Sequence, residues 1–109
     1  INSKNMFDFL KNLFGGEDIT EKLKEGAFLV DVRSPQEFDA GHVKGSSNIP
    51  LDRISNSLDK FKNKKNIIVF CRSGNRSGQA KAILNQLGIT NVTNGGTWND
   101  VASLQSTVK

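Results

Sequence analysis

The stretch Ile67-Ile68-Val69-Phe70-Cys71-Arg72-Ser73-Gly74-Asn75-Arg76-Ser77 decides the fold. Its four apolar residues lead directly into the only cysteine of the chain, and such a run is typical of a buried strand in a parallel sheet. A polar loop follows, and then a helical pattern that ends at Gly88 and presents one apolar face made of Ala80, Ile83, Leu84 and Leu87. The pattern predicts that Cys71 lies between a central strand and a helix N-terminus, where open α/β sheets bind ligands.

This position predicts a reactive thiol at Cys71. A thiol reacts as its thiolate, and the helix N-terminus, Arg72 and Arg76 all add positive charge that favours this form. Gly74 allows positive φ, so that several N–H groups can point at one spot and form an anion cradle. The alternative is a buried structural cysteine, which requires neither the arginines nor the glycine loop.

The bulk properties describe one soluble domain. The chain has 109 residues, with 36% hydrophobic and 24% charged residues and a net charge of +4. Basic residues cluster only between Lys60 and Lys65, and a solvated turn is favoured there over a nucleic-acid site. A single cysteine cannot form an intramolecular disulfide, which favours the cytoplasm. No stretch is long and apolar enough for a membrane span or a signal peptide, although an exported protein that had lost its signal would look the same.

We predict three segments. Residues 1–16 form a tail and a short amphipathic helix, residues 17–105 form the domain, and residues 106–109 form a tail that frays from Gln105. The N-terminal helix packs on the domain or, because it is rich in Phe, faces a partner or a membrane surface.

The order of elements predicts a parallel sheet with helices on both faces. Strands are expected at the short stretch Asp18-Ile19, at 27–32, at 47–50 and at 89–93, in addition to the cysteine strand. Thr20 is expected to cap a brief helix, the stretch 34–37 to form a capping box, and Thr97 to cap a final helix. Residues 51–61 show helical spacing on one face.

Four motifs, in the right order over roughly residues 18 to 104, resemble the rhodanese domain. Residues 71–76 resemble its C-x-x-x-x-R active-site loop, and residues 31–38 are similar to its D-V-R-x-x-x-E-[FY] element. Residues 41–50 resemble G-H-[IV]-x-G-A-x-N-[IL]-P, with Ser46 where alanine is usual, and residues 94–98 resemble the closing G-G…W element with a shorter spacing. The resemblance implies a five-stranded, mostly parallel sheet.

The resemblance also implies a sulfurtransferase. Cys71 would take sulfur from an anionic donor such as thiosulfate, form a persulfide, and pass the sulfur to cyanide or a thiol. The substrate-binding residues would be those of the loop: Arg72, Ser73, Gly74, Asn75, Arg76 and Ser77. No metal or other cofactor is implied, because one His and one Cys make a poor metal site, and a monomer is expected. A sulfur-relay protein is a possible partner.

Two other functions compete with this one. The chain could be a dedicated sulfur carrier or a regulatory binding module without efficient small-molecule turnover. It could also be a phosphatase or arsenate reductase, but phosphotyrosine phosphatases have five residues between Cys and Arg, whereas four separate Cys71 from Arg76. The smaller ring suits one sulfur atom better than a tetrahedral phosphate.

Several polar residues outside the loop have competing interpretations. Asp31 and Arg33 are expected to support the site, and together with Glu37 to form an ion-pair and cap network that holds loops in place. A Cys–His dyad with His42 is disfavoured, because its motif resembles a loop away from the cysteine. Trp98 is expected in the core rather than at a ligand.

Overall fold

The computed structural model describes residues 19–108, which contain a four-stranded, fully parallel sheet in the order β2-β1-β3-β4. The strands are β1 (Phe28–Asp31), β2 (Ser47–Asn48), β3 (Ile67–Cys71) and β4 (Val92–Thr97). The expected fifth strand is not found among these residues. Ile19 precedes a helix instead, since its φ of −111° and ψ of 3° are not those of a strand, and Asp18 lies outside the described range.

Within residues 19–108, four α-helices connect and flank the strands: α1 (Thr20–Lys24), α2 (Pro35–Ala40), α3 (Asn75–Gln86) and α4 (Trp98–Thr107). The helical spacing predicted over 51–61 forms two short 3₁₀ helices, Leu51–Asn56 and Leu58–Lys60. Tighter 3₁₀ turns are common in such short connectors. The helix α4 continues to Thr107, so the fraying predicted from Gln105 is not seen up to that point.

The core lies on both faces of the sheet because side chains alternate along β3. Ile67, Val69 and Cys71 face α3 and the first 3₁₀ helix, in a cluster that also holds Ala80 and Leu84. Ile68 and Phe70 face the other way, in a cluster with Ile19, Leu29, Val43 and Val101. Every residue of β3 is buried, as expected for an interior strand of a parallel sheet.

Two of the predicted helix caps are present and one is not. The Ser34 side chain accepts a hydrogen bond from the Glu37 backbone while the Glu37 side chain accepts one from the Ser34 backbone, which completes the capping box. Thr97 accepts from the Asp100 amide at the start of α4. Thr20 is the first helical residue of α1 rather than its cap.

The last strand begins and ends later than predicted and contains a bulge. Val69 pairs with Asn94 but Phe70 pairs with Gly96, so Gly95 is the extra residue. A Cβ on Gly95 would lie 2.9 Å from Ile68 Cγ2 and 3.1 Å from Val101 Cγ2. The close packing against both neighbours therefore requires glycine at this position.

The exposure of two predicted features can be compared with the structure. Leu87 was expected on the buried face of α3, but it is 45% exposed, because it lies just beyond the last helical turn. The basic residues between Lys62 and Lys65 lie in exposed turns before β3.

The predicted tail and amphipathic helix of residues 1–16 lie outside the described residues. None of the helices between residues 19 and 108 is long and apolar enough to cross a membrane.

Candidate active site

Cys71 is the last residue of β3 and is fully buried. The strand lies between β1 and β4, and α3 begins at Asn75, so the thiol lies at the carboxyl edge of the sheet as the sequence predicts. Gly74 precedes the helix with a φ of 93°, in the left-handed region that glycine adopts without strain. The turn through Gly74 brings the start of α3 back over the sulfur.

Backbone amides of this turn point at the sulfur itself. Gly74 N donates to Cys71 Sγ at 3.0 Å, and Ser77 N donates to it at 3.4 Å. The Ser77 hydroxyl oxygen lies 3.5 Å from Sγ. Two backbone amides and one hydroxyl of this turn therefore lie around Cys71 Sγ itself.

These contacts change the acidity of the thiol. Burial raises the pKa of Cys71, but hydrogen bonds from the Ser77 hydroxyl and from the amides of Ser77, Ser73 and Gly74 outweigh it. The pKa therefore lies below the ordinary value for a cysteine. A larger fraction of the thiolate nucleophile follows at neutral pH.

Asn94 of β4 is a part of the site that sequence reasoning missed. Its Oδ1 accepts from Ser77 Oγ at 2.8 Å and from Gly96 N at 2.9 Å, and its Nδ2 donates to Gly74 O at 3.2 Å. It thereby contacts both residues whose amides hold the sulfur. The only signal in the sequence is an Asn directly before Gly95 and Gly96, because a polar side chain that becomes buried there needs partners.

Arg76 was expected to bind an anionic substrate, but its guanidinium is paired with a carboxylate of the chain. Arg76 Nη1 donates to Glu37 Oε1 at 2.7 Å and Nη2 donates to Oε2 at 3.0 Å. The hydrogen bond from Arg76 lowers the pKa of Glu37 to about 2. Of the two loop arginines, Arg72 is the exposed one, and Ser73 and Asn75 are exposed beside it.

Asp31 and Arg33 form a buried ion pair at the end of β1. Arg33 Nη2 lies 2.7 Å from Asp31 Oδ2, and Arg33 Nε is 2.9 Å from each carboxylate oxygen. Arg33 Nη2 also donates to Gly41 O at 2.6 Å, and its guanidinium lies 4.6 Å from the centre of the Trp98 ring. These contacts join the end of β1 to the loop after α2 and to α4. The ion pair therefore holds these segments together.

Among residues 19–108, no hydrogen bond joins His42 to Cys71. It is exposed, its Nδ1 lies 2.8 Å from Phe38 O, and its ring stacks on Phe38 with 3.7 Å between ring centres. The His42 ring is therefore held by Phe38 of α2. Within the same described range, no three His, Cys, Asp or Glu residues are grouped so that they could hold a metal ion.

A groove of about 520 Å³ borders the site between α3 and the first 3₁₀ helix. Its lining combines apolar side chains with one cation and one carboxylate, and includes Arg76, Gln79, Ile83, Leu51 and Asp52. Arg76 lines the groove and also ends the C-x-x-x-x-R loop, so the groove lies next to that loop.

Comparison with known proteins agrees with the motifs. The model of the rhodanese-like domain matches residues 10–97. The thiosulfate sulfurtransferase PspE of Escherichia coli is 40% identical over 75 residues, which are 67% of this chain and 72% of that protein. The uncharacterized protein YqhL of Bacillus subtilis is 37% identical over 68 residues, and the matched region spans 54% of its length.

A solved structure shares the fold. The structure described as a rhodanese with anions from E. coli superposes with a TM-score of 0.64 and 38% identity, over 71% of this chain and 93% of that one. The similarity thus covers nearly the whole of that protein.

Proposed function

This chain belongs to the rhodanese-like domain family, and from that premise we propose that it is a sulfurtransferase that carries sulfane sulfur as a persulfide on Cys71. The observation that carries the proposal is the convergence of the Gly74 and Ser77 amides on Sγ, at 3.0 and 3.4 Å. Amides arranged in this way stabilise negative charge on sulfur, which is needed both for attack and for a persulfide anion.

The first half-reaction moves one sulfur atom. The Cys71 thiolate attacks the outer sulfur of thiosulfate, an S–S bond forms, and the electron pair of the broken S–S bond leaves with sulfite. The three negative charges of thiolate and thiosulfate are conserved as one on the persulfide and two on sulfite. The exposed Arg72 guanidinium attracts the dianion, while the low pKa of Cys71 supplies the nucleophile.

The second half-reaction regenerates the thiolate. A thiophile such as cyanide, or a thiolate, attacks the outer sulfur of the persulfide, and the electron pair of the S–S bond returns to Cys71 Sγ. With cyanide the product is thiocyanate, and charge balances without a proton. Two half-reactions on one residue predict ping-pong kinetics. The groove beside Arg76 offers space for a thiol acceptor larger than cyanide.

Access to the sulfur sets a condition on both steps. Because Cys71 is fully buried under the loop, the loop residues 72–74 must move outward to admit the outer sulfur of a donor. Gly74 N is then free to donate to the terminal persulfide sulfur instead of Sγ.

The same burial favours a second candidate, a dedicated sulfur carrier. A partner protein that opens the loop would load Cys71 while small donors reacted slowly. Such a carrier would show poor turnover with thiosulfate but ready uptake of sulfur from a protein persulfide. The phosphatase alternative is disfavoured, because only four residues separate Cys71 from Arg76 and the Arg76 guanidinium is paired with Glu37.

Intact-mass measurement tests the proposal. The wild-type chain and Cys71→Ser are incubated with thiosulfate, desalted, weighed, and then treated with cyanide. We expect the wild type alone to gain the mass of one sulfur atom and to lose it with cyanide. The absence of any adduct on folded, reduced wild type, from both thiosulfate and a protein persulfide donor, would refute the proposal, and an adduct from the protein donor alone would favour the carrier.

A further inference from the structure

We propose that Asn94 is a positioning residue for Cys71: it holds the two residues whose amides bind the sulfur, and so sets how readily the thiol ionises. The inference deepens the proposed function, since it assigns a new residue to the same site. Asn94 acts through Gly74 and Ser77, the two residues that its side chain contacts.

The orientation of the Asn94 amide is fixed by its neighbours. Gly96 N can only donate, and it lies 2.9 Å from one terminal atom of the side chain, which must therefore be Oδ1. The other terminal atom lies 3.2 Å from Gly74 O, an acceptor, and must therefore be the Nδ2 donor. Both assignments agree, so neither contact allows the amide to flip.

The fixed Oδ1 orients the Ser77 hydroxyl. Ser77 Oγ has one hydrogen and three atoms that could accept it: Asn94 Oδ1 at 2.8 Å, Gly74 O at 3.1 Å and Cys71 Sγ at 3.5 Å. Because the ionised sulfur competes for this hydrogen, the contact with Asn94 matters for where it holds the Ser77 side chain. The shorter contact with Asn94 keeps the side chain turned between β4 and the loop, 3.5 Å from Cys71 Sγ. Asn94 therefore contacts Ser77 at its side chain and Gly74 at its carbonyl oxygen.

The bulge in β4 explains why Asn94 can do this. Asn94 faces α3, because it pairs with Val69, whose side chain lies in the α3 cluster. The extra residue Gly95 then turns the chain, so that Gly96 N donates to the Asn94 side chain two residues earlier. Bulges beside functional sites commonly aim a side chain in this way.

The charged groups around the thiol lie on other elements. They are Arg72 in the loop, Arg76 in α3 with its partner Glu37 in α2, and the pair Asp31 and Arg33 at the end of β1. An uncharged substitution in β4 leaves all of them in place. A change in thiol ionisation on replacing Asn94 with alanine therefore reports on the hydrogen bonds rather than on a lost charge.

The experiment is a spectroscopic titration of the thiolate by its ultraviolet absorbance. The sequence suits it, because the chain has one cysteine and no tyrosine whose ionisation would interfere. Cys71→Ser serves as the blank. For Asn94→Ala we expect a roughly fivefold lower thiolate-to-thiol ratio at a given pH, the effect of losing about one net hydrogen bond from the cradle.

Two further variants keep the test decisive. Asn94→Asp has the same shape, but it presents an oxygen to Gly74 O and adds negative charge near Sγ, so the ratio should fall by more than in Asn94→Ala. Because Asn94 acts through Ser77, the shift in the double variant Asn94→Ala/Ser77→Ala should be smaller than the sum of the two single shifts.

Asn91→Ala is the matched control. Asn91 is also an Asn whose amide donates to backbone carbonyls, those of Lys64 and Lys65, but it lies before β4 at the opposite edge of the sheet. Its titration should match that of the wild type. An unchanged or increased thiolate ratio in folded Asn94→Ala or Asn94→Asp, or strictly additive shifts, would overturn the proposal. The titration needs no sulfur transfer, so its result and that of the thiosulfate experiment can fail separately.

Discussion

Replacing Glu37 with glutamine tests the contact that ties α2 to α3 beside the site. Glu37 Oε1 accepts from the Ser34 amide at 3.1 Å and from Arg76 Nη1 at 2.7 Å. Glutamine keeps one oxygen for the capping box, but it loses the charge and turns an amide group toward the second nitrogen of the guanidinium. The substitution therefore weakens the ion pair with little change in the shape of the helix start.

The size of the effect follows from the pKa of Glu37. A value of about 2, against 4.5 for the ordinary group, corresponds to roughly 3 kcal/mol of unfolding free energy as an upper limit. The side chains of Glu37 and Arg76 are 29% and 35% exposed, so solvent screens the pair, and about 1–2 kcal/mol is the expected loss at pH 7. Because folding lowers the pKa, the stabilisation is fully present above about pH 4.5 and disappears as the pH falls toward 2.

Urea unfolding at several pH values measures this loss. The difference between wild type and Glu37→Gln should be largest near pH 7 and should shrink as the pH falls below about 4.5. Asp39→Asn is the matched control, since it removes an exposed carboxylate from the same helix. Equal stability of Glu37→Gln and wild type at pH 7, or a difference that does not change down to pH 3, would refute the argument.

Three other outcomes are expected. Sulfur loading of Cys71 should stay fast at lower pH than the reaction of an ordinary cysteine, and should slow only below its lowered pKa, as a pH–rate profile would show. Arg72→Ala should raise the KM for thiosulfate several-fold at low salt and less at high salt, with unfolding free energy changed by under about 0.5 kcal/mol because the side chain is exposed. Gly95→Ala should lower the unfolding free energy by about 1–3 kcal/mol, because the added Cβ overpacks the core. A Cβ on Gly78 would have its nearest neighbour atom 3.5 Å away, so Gly78→Ala should stabilise α3 by about 0.5–1 kcal/mol. Thermal unfolding of the two variants measures both effects.

The local features of the site could be predicted from the sequence. The apolar run of β3, the left-handed turn at Gly74 and the capping box at 34–37 each depend on a few consecutive residues. Their physical causes, burial of an interior strand, freedom at positive φ and satisfaction of free amides, act over the same short range. The position of Cys71 at the carboxyl edge follows from them.

The contacts between distant segments could not be predicted. Arg76 and Glu37 are 39 residues apart in sequence. The local sequence predicted an anion-binding role for Arg76 and a capping role for Glu37, so nothing in it indicated that the two side chains pair. The strand was expected at 89–93, because the polar and glycine residues that follow have low strand propensity. In the fold, β4 nevertheless runs to Thr97, since pairing with β3 and packing of Gly95 against Ile68 and Val101 outweigh propensity.

The complete burial of Cys71 also bears on how the chain behaves at high concentration in air. Two thiols join only when their sulfur atoms come within about 2 Å of each other. The sulfur atoms of two folded copies cannot reach that distance while each lies beneath its own Gly74 and Ser77 amides. A lone cysteine on a surface would form disulfide bonds between copies of the chain during storage. Cys71 remains a free thiol for as long as the turn stays closed.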